Sequence, residues 1–297
     1  MSTRRWTLPL IVVSFVLPLL PGSAHAAFPG TNGALVFSRK VNGLGHLYVI
    51  RADGSGRRRL TSGRVSDSDP VWSPDGSLVA FTRLLGTGHR AVFVTTASGT
   101  SVRRLTPTTI EAAEPAWAPS GKTLAFACSR KLPHSAICVI GLDGTGLHAV
   151  TKSSYRNIDP TWSPDGKKIA FSHADDSHAF QIWAMNANGS NKHQVTHTSV
   201  NELVADWSPD GSRILMTCAV PSNEYEPDLF TIRPDGSQMQ RLTREEYVTA
   251  AAWAPSGDRI AIVRSKHLAV MTANGNASWM VPNAGSDVTD VSWKRRP

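Results

Sequence analysis

The chain has 297 residues, with 41% hydrophobic, 7% aromatic and 18% charged residues, 23 Gly and 19 Pro. That content fills a large core and excludes a disordered chain or a coiled coil, while the Gly and Pro frequency favours many short strands joined by turns over long helices. A formal charge of +8 and a pI near 9.7 admit an anionic partner, although charge speaks to solubility and association rather than to fold.

Residues 1–26 read as a cleaved export signal. Arg4 and Arg5 form a basic start, Leu8 to Leu20 an apolar stretch interrupted by Pro9 and Pro18, and Ala24-His25-Ala26 a small-x-small cleavage site. The apolar stretch is shorter than the roughly 20 residues that span a bilayer, so no transmembrane segment is expected. The mature chain then starts at Ala27, without the two arginines, as an exported protein of the periplasm or the extracellular space.

From there a period of about 45 residues dominates. Pro70-Val-Trp72-Ser-Pro74-Asp-Gly76 recurs at Pro115 to Gly121 and at Pro160 to Gly166, with looser copies at Trp207 to Gly211 and Trp253 to Gly257. The tryptophans 72, 117, 162, 207 and 253 are 45, 45, 45 and 46 residues apart. Each unit closes alike, in Leu60-Thr61, Leu105-Thr106, Val150-Thr151, Val195-Thr196 and Leu242-Thr243.

Every unit reads as four short strands, a to d. Strand a ends at the Trp, and Ser-Pro-Asp-Gly makes a tight turn in which Pro presets φ and Gly accepts the strained position. Strand b follows, as in Leu78 to Thr82; strand c is exemplified by Leu47 to Ile50 and Asp228 to Ile232; a second Gly turn, Asp53-Gly54 or Asp235-Gly236, leads to strand d. Repeated around an axis, such units form propeller blades. The first strand b, Ala34 to Phe37, lacks a preceding Trp strand, and Asp290-Val291-Ser292-Trp293 is a strand a with no followers. Pairing the two closes the ring. The expected fold is therefore all-β, a six-bladed β-propeller over 27–297 with four antiparallel strands per blade, sealed by the C-terminal strand in blade 1. An open solenoid would need capping repeats, which neither end offers.

These Trp-Ser-Pro-Asp-Gly copies, with their Leu-Ala-Phe and Ile-Ala-Phe strands, resemble the WD-repeat-like units of the TolB-type β-propeller family from about Thr31 to Trp293. The α/β domain that precedes the propeller in the family's namesake has no counterpart, since Phe28-Pro29-Gly30 leads directly into blade 1. The resemblance implies a periplasmic scaffold, a prolyl-peptidase propeller or a carbohydrate-active enzyme. A peptidase is disfavoured by the lack of a Gly-x-Ser-x-Gly elbow.

Residues that recur between repeats read as scaffold: the tryptophans, with Trp293, as packing between blades, and Asp75, Asp165 and Asp210 as turn formers rather than calcium ligands. Residues that vary are better functional candidates. Three positions before each Trp stand Asp69, Glu114, Asp159, Val204, Ala250 and Asp290, with Asp67, Glu111, Glu202 and Asp206 nearby. Carboxylates ringing one channel mouth would focus negative potential, to hold a basic peptide or a cation such as calcium, with turn capping as the simpler reading of each.

Arg57-Arg58-Arg59, Arg103-Arg104, Lys192-His193 and Arg241 fall at strand d, where charge discourages edge-to-edge pairing. The rival reading is a binder of anionic wall polymer; no signature supports nucleic acid. His173-Ala-Asp175-Asp176-Ser-His178 offers metal-ligand types but reads more simply as a polar loop. Cys128 and Cys138 are ten residues apart across one hairpin and are expected to pair, leaving Cys218 a free, half-buried thiol.

The leading functional expectation is a noncatalytic propeller, a monomer without cofactor, binding a protein, peptide or cell-envelope component at the channel face. A lyase or glycoside-processing enzyme is the alternative. It requires His134, Tyr155, Arg156, Tyr225 or Tyr247 to converge with the acids.

Overall fold

A computed structural model describes residues 25–26, 30–86, 88–130, 134–175, 179–220, 223–244 and 246–296. The proposed signal thus lies outside the described residues except for His25 and Ala26. Among the described residues there is no helix, and none long and apolar enough to cross a membrane.

The strands assemble into six antiparallel sheets of a–b–c–d order, as the repeats predict. Their strands a are Val288–Arg296, Ser66–Trp72, Glu111–Trp117, Arg156–Trp162, Glu202–Trp207 and Val248–Trp253 for blades 1 to 6. Each of these touches the strand a of the blade before and after it, so the six line the central axis. Blade 1 closes the ring through Leu35↔Trp293, Val36↔Ser292, Phe37↔Val291 and Ser38↔Asp290.

The core lies between blades, where the apolar faces of adjacent sheets meet. Phe37, Phe81, Phe126 and Phe171, one per strand b, are fully buried, and all six repeat tryptophans are buried. Trp117 Nε1 donates to the Val71 carbonyl of the preceding blade at 3.2 Å. The Leu-Thr endings have a specific use that their recurrence alone did not reveal. The hydroxyls of Thr61, Thr106, Thr151, Thr196 and Thr243 accept the N–H of Leu47, Val92, Ile137, Ile182 and Leu229, fastening each strand c to the chain beyond strand d.

The Asp-Gly turns behave as local structure. Asp75 Oδ1 accepts the Ser73 hydroxyl at 2.6 Å and the Ser77 N–H at 3.0 Å, and Asp165 and Asp210 repeat the pattern. The second Gly turn is tighter still. A Cβ on Gly99 or Gly189, at φ +82° and +85°, would lie 2.4 Å from the carbonyl oxygen of Leu60 or Val150 in the preceding blade. Only a bare backbone fits there.

The basic residues at strand d do more than guard an edge. Arg58 donates to the Ala97 carbonyl and Arg103 to the Leu142 carbonyl, each in the next blade. Arg59, Arg104 and Arg241 bond the carbonyls of Thr61, Thr106 and Thr243.

One feature is not part of the repeat. His25–Ala26 runs parallel to Glu202–Trp207, in register His25↔Asp206 and Ala26↔Trp207. It touches the strands a of blades 3, 4 and 5, so an extended backbone sits inside the channel on the free edge of blade 5.

Candidate functional site

Strand a carries a β-bulge in every blade, and in blades 2 to 4 the bulge falls on Asp69-Pro70, Glu114-Pro115 and Asp159-Pro160. Proline cannot donate to a ladder, so the pairing skips this dipeptide. Asp69, Glu114 and Asp159 adopt left-handed φ of 50°, 57° and 50°. Their N–H groups turn toward the preceding blade. Asp159 N–H meets Glu114 Oε2 at 2.9 Å, Glu114 N–H meets Thr82 Oγ1 at 3.0 Å, and Asp69 N–H reaches Asp290 Oδ2 at 3.5 Å. In blade 5 the same amide, of Val204, meets Ser172 Oγ at 2.9 Å.

Asp69, Glu114, Asp159 and Asp290 therefore form one cluster. Asp69, Asp159 and Asp290 are 7%, 1% and 0% exposed, and Glu114 is half-buried. Three of the four carboxylates are thus buried within the fold. Burial, then the charges of Asp290 and Glu114, push Asp69 up to about 8. Burial, then Glu114, Asp69 and Asp290, push Asp159 well above the usual carboxylate range. Burial likewise raises Glu114, against its bond from Asp159 N–H and the pull of Arg90 and Arg156. Both Asp159 oxygens are buried with no hydrogen-bond partner among the described residues. Buried polar groups are normally satisfied, so this carboxyl calls for a proton, an ordered water or a ligand as partner.

The other acids leave the cluster. Asp67 receives both Nε and Nη2 of Arg83, at 2.6 and 2.9 Å. Glu202 is fully buried beside Cys218 and the hydroxyls of Thr196 and Thr198, with burial pushing its pKa up. Asp206 accepts Trp253 N–H at 2.7 Å and joins blade 5 to blade 6. No group of three or more His, Cys, Asp or Glu among the described residues is placed to hold a metal ion, so the calcium option is not carried further. His173 belongs to an aromatic group with Trp183 and Tyr155, its Nδ1 2.9 Å from Asn157 Oδ1, while Asp176 and His178 lie outside the described residues.

Among the described side chains, His134, Tyr155 and Tyr247 do not border the cavity that Glu114 lines. Tyr155 is 44% exposed against His173, His134 borders a separate cavity with Arg130 and His148, and the side chain of Tyr225 lies outside the described residues. Tyr247 holds a left-handed φ of 47° at the entry to blade 6. Arg156 does come near, bordering a cavity with Glu114 and with Arg90, a residue the repeats did not single out. The signal for Arg90 was present in the sequence: it opens strand c where the other blades have Gly45, Ser135, Phe180, Pro227 and Lys266.

The Sγ atoms of Cys128 and Cys138 are bonded, with Cα atoms 5.8 Å apart. Cys218 is free but only 4% exposed, so it is buried rather than half-buried; that burial pushes its thiol up to about 12.

The model of the TolB beta propeller domain matches residues 20–131 and 131–292. The chain belongs to this family. TolB from Acinetobacter baumannii superposes with a TM-score of 0.75 at 19% identity, over 89% of this chain and 67% of that one. A propeller in a nidogen/laminin complex gives 0.70 at 11% identity, over 88% and 97%. An oligogalacturonate lyase in complex with manganese gives 0.61 at 15%, over 87% and 77%. At these identities the TolB-like chain shares a fold with binding proteins and enzymes alike. No curated protein matches it.

Proposed function

We propose that this TolB-like propeller is an exported, noncatalytic scaffold of the periplasm or cell envelope that binds a protein or peptide through its channel. The observation that carries this reading is the buried Asp159 carboxylate without a hydrogen-bond partner among the described residues, set among Asp69, Glu114 and Asp290. Burial, with the charges of neighbouring acids, raises Asp69, Glu114 and Asp159 toward their neutral forms, and a cation bound among them would favour loss of those protons. The donors are not grouped as a compact metal shell, which favours the ammonium or guanidinium of a basic side chain. The extended His25–Ala26 segment supports a peptide, because it occupies a backbone edge in the same channel. The matching chain of the nidogen/laminin complex offers a protein-binding precedent on the same fold.

The test is capture from an envelope fraction by the 27–297 protein and by an Asp69→Asn/Asp159→Asn variant. Partners held by the first and lost by the second, with melting temperature retained, are expected. Identical capture by both overturns the reading.

A further inference from the structure

We propose that the cavity between blades 2, 3 and 4 is a carboxylate-binding subsite that takes the C-terminal carboxylate of the bound peptide between Arg90 and Arg156. The inference rests on the peptide-binding reading above and gives that peptide an end and a polarity.

The cavity, about 180 Å³, lies where strand c of blade 2 begins and where the strands a of blades 3 and 4 enter the channel. A cavity of this order holds a benzene-sized group. Its charged lining consists of Arg90, Arg156, Glu111 and Glu114. Glu111 is already engaged: Oε1 meets His89 Nδ1, and Oε2 accepts the main-chain N–H of Arg90 at 2.8 Å. Burial drives Glu114 toward its neutral form, and Oε2 is occupied by Asp159 N–H. Both arginines act on Glu114 through their charge, but neither is paired with it. Neither guanidinium makes an ion pair or hydrogen bond among the described residues, although both are half-buried. The Arg156 guanidinium lies 4.5 Å from the Phe180 ring centroid, a contact that fixes the plane of the group while leaving its edge donors unused. Two half-buried arginines bordering one cavity suit an oxyanion, and a carboxylate matches the planar donors of a guanidinium.

Three observations favour a peptide end as its source. Ala112, Ala113 and Ala127 supply an apolar wall suited to one small side chain. The backbone of His25–Ala26 already runs in the channel against the strands a of blades 3 and 4, which build this cavity. Glu114 is shared between the cavity and the acid cluster, so a basic side chain close to the carboxylate would meet Asp159 as the terminus meets the arginines.

The probe is acetyl-Lys-Ala-Ala, prepared with a free C-terminal carboxylate and as its C-terminal amide, titrated by calorimetry into the 27–297 protein, with tetragalacturonate as the competing source of carboxylate. The acid is expected to bind at least tenfold more tightly than the amide. Arg90→Gln and Arg156→Gln should each remove that preference, and Arg156→Lys should restore part of it, with melting temperatures unchanged throughout. Equal binding of acid and amide, or a preference that survives both Gln variants, overturns the subsite while leaving the peptide reading standing. Binding of tetragalacturonate without either peptide overturns the peptide end as the ligand. Binding of none of the three at millimolar concentration also overturns it, and the capture experiment then decides separately whether the channel binds any protein.

Discussion

Glu114 Oε2 accepts the main-chain N–H of Asp159 at 2.9 Å, so a carboxylate of blade 3 holds the bulge of blade 4. Glu114→Ala leaves that turned amide without its acceptor and should lower stability by about 1–2 kcal/mol, whereas Glu114→Gln keeps an acceptor oxygen and should cost less. Urea denaturation of the two variants checks the order.

The acid cluster also sets a pH dependence. Asp69 titrates near 8 in the fold, raised by burial first and then by Asp290 and Glu114, against 3.8 when unfolded. Between those values the folded state carries a proton that the unfolded state has lost, so stability falls as pH rises and levels off above about 8. The melting temperature should be higher at pH 5 than at pH 8, with a shallower slope in Asp69→Asn. Binding of a cationic peptide should run the other way and strengthen toward high pH, because the cation replaces bound protons. Calorimetry in two buffers of different ionisation enthalpy would register their release.

Asp67 answers to Arg83 and not to the channel, with side chains 0% and 16% exposed. Asp67→Ala would leave a guanidinium with no counter-charge and should cost about 3 kcal/mol, the usual penalty for breaking a buried pair from one side. Peptide affinity of the folded fraction should not change. Chemical denaturation together with titration separates the two effects.

Gly189→Ala combines a φ of +85° with a Cβ 2.4 Å from the Val150 carbonyl oxygen, whereas Gly43, at φ +80°, has nothing within 4 Å of its Cβ position. Gly43→Ala should cost about 1 kcal/mol of backbone strain, and Gly189→Ala distinctly more, because the seam between blades 3 and 4 must open. Thermal melts of the pair isolate the contribution of the close contact.

Cys218, raised to about 12 by burial and then by Glu202 and Asp228, carries almost no thiolate at neutral pH. Native protein at pH 8 should resist iodoacetamide over hours, and urea-unfolded protein should take up one equivalent within minutes under nonreducing conditions. Mass spectrometry of the intact chain follows both.

What the sequence revealed and what it hid follow from where the relevant partners sit. Trp72, Trp117, Trp162 and Trp207 recur at 45-residue intervals, so blade count and closure can be read along the chain. The acids are different, because alternation of side chains along strand a is broken by the bulge. Asp67 and Asp69 differ by two residues and would share a face of a regular strand, yet the bulge at Asp69-Pro70 sends one to Arg83 and the other into the acid cluster. Glu202 and Asp206 could not be separated from the cluster by spacing, since their partners Cys218 and Trp253 belong to another strand and another blade. Arg90 gained its meaning only from a cavity built by three blades.

The closing pair has a consequence in time. Trp293 donates its indole N–H to the Gly33 carbonyl across 260 residues of chain, in a blade whose other three strands end at Arg59. A chain emerging from its N-terminus can complete blades 2 to 6 in order, while blade 1 waits with an unpaired edge until residues 288–296 arrive. The entropic cost of so long a loop grows only with the logarithm of its length, but the wait does not shorten. Over that interval the ring stays open, and the unpaired edge of blade 1 is available to other chains.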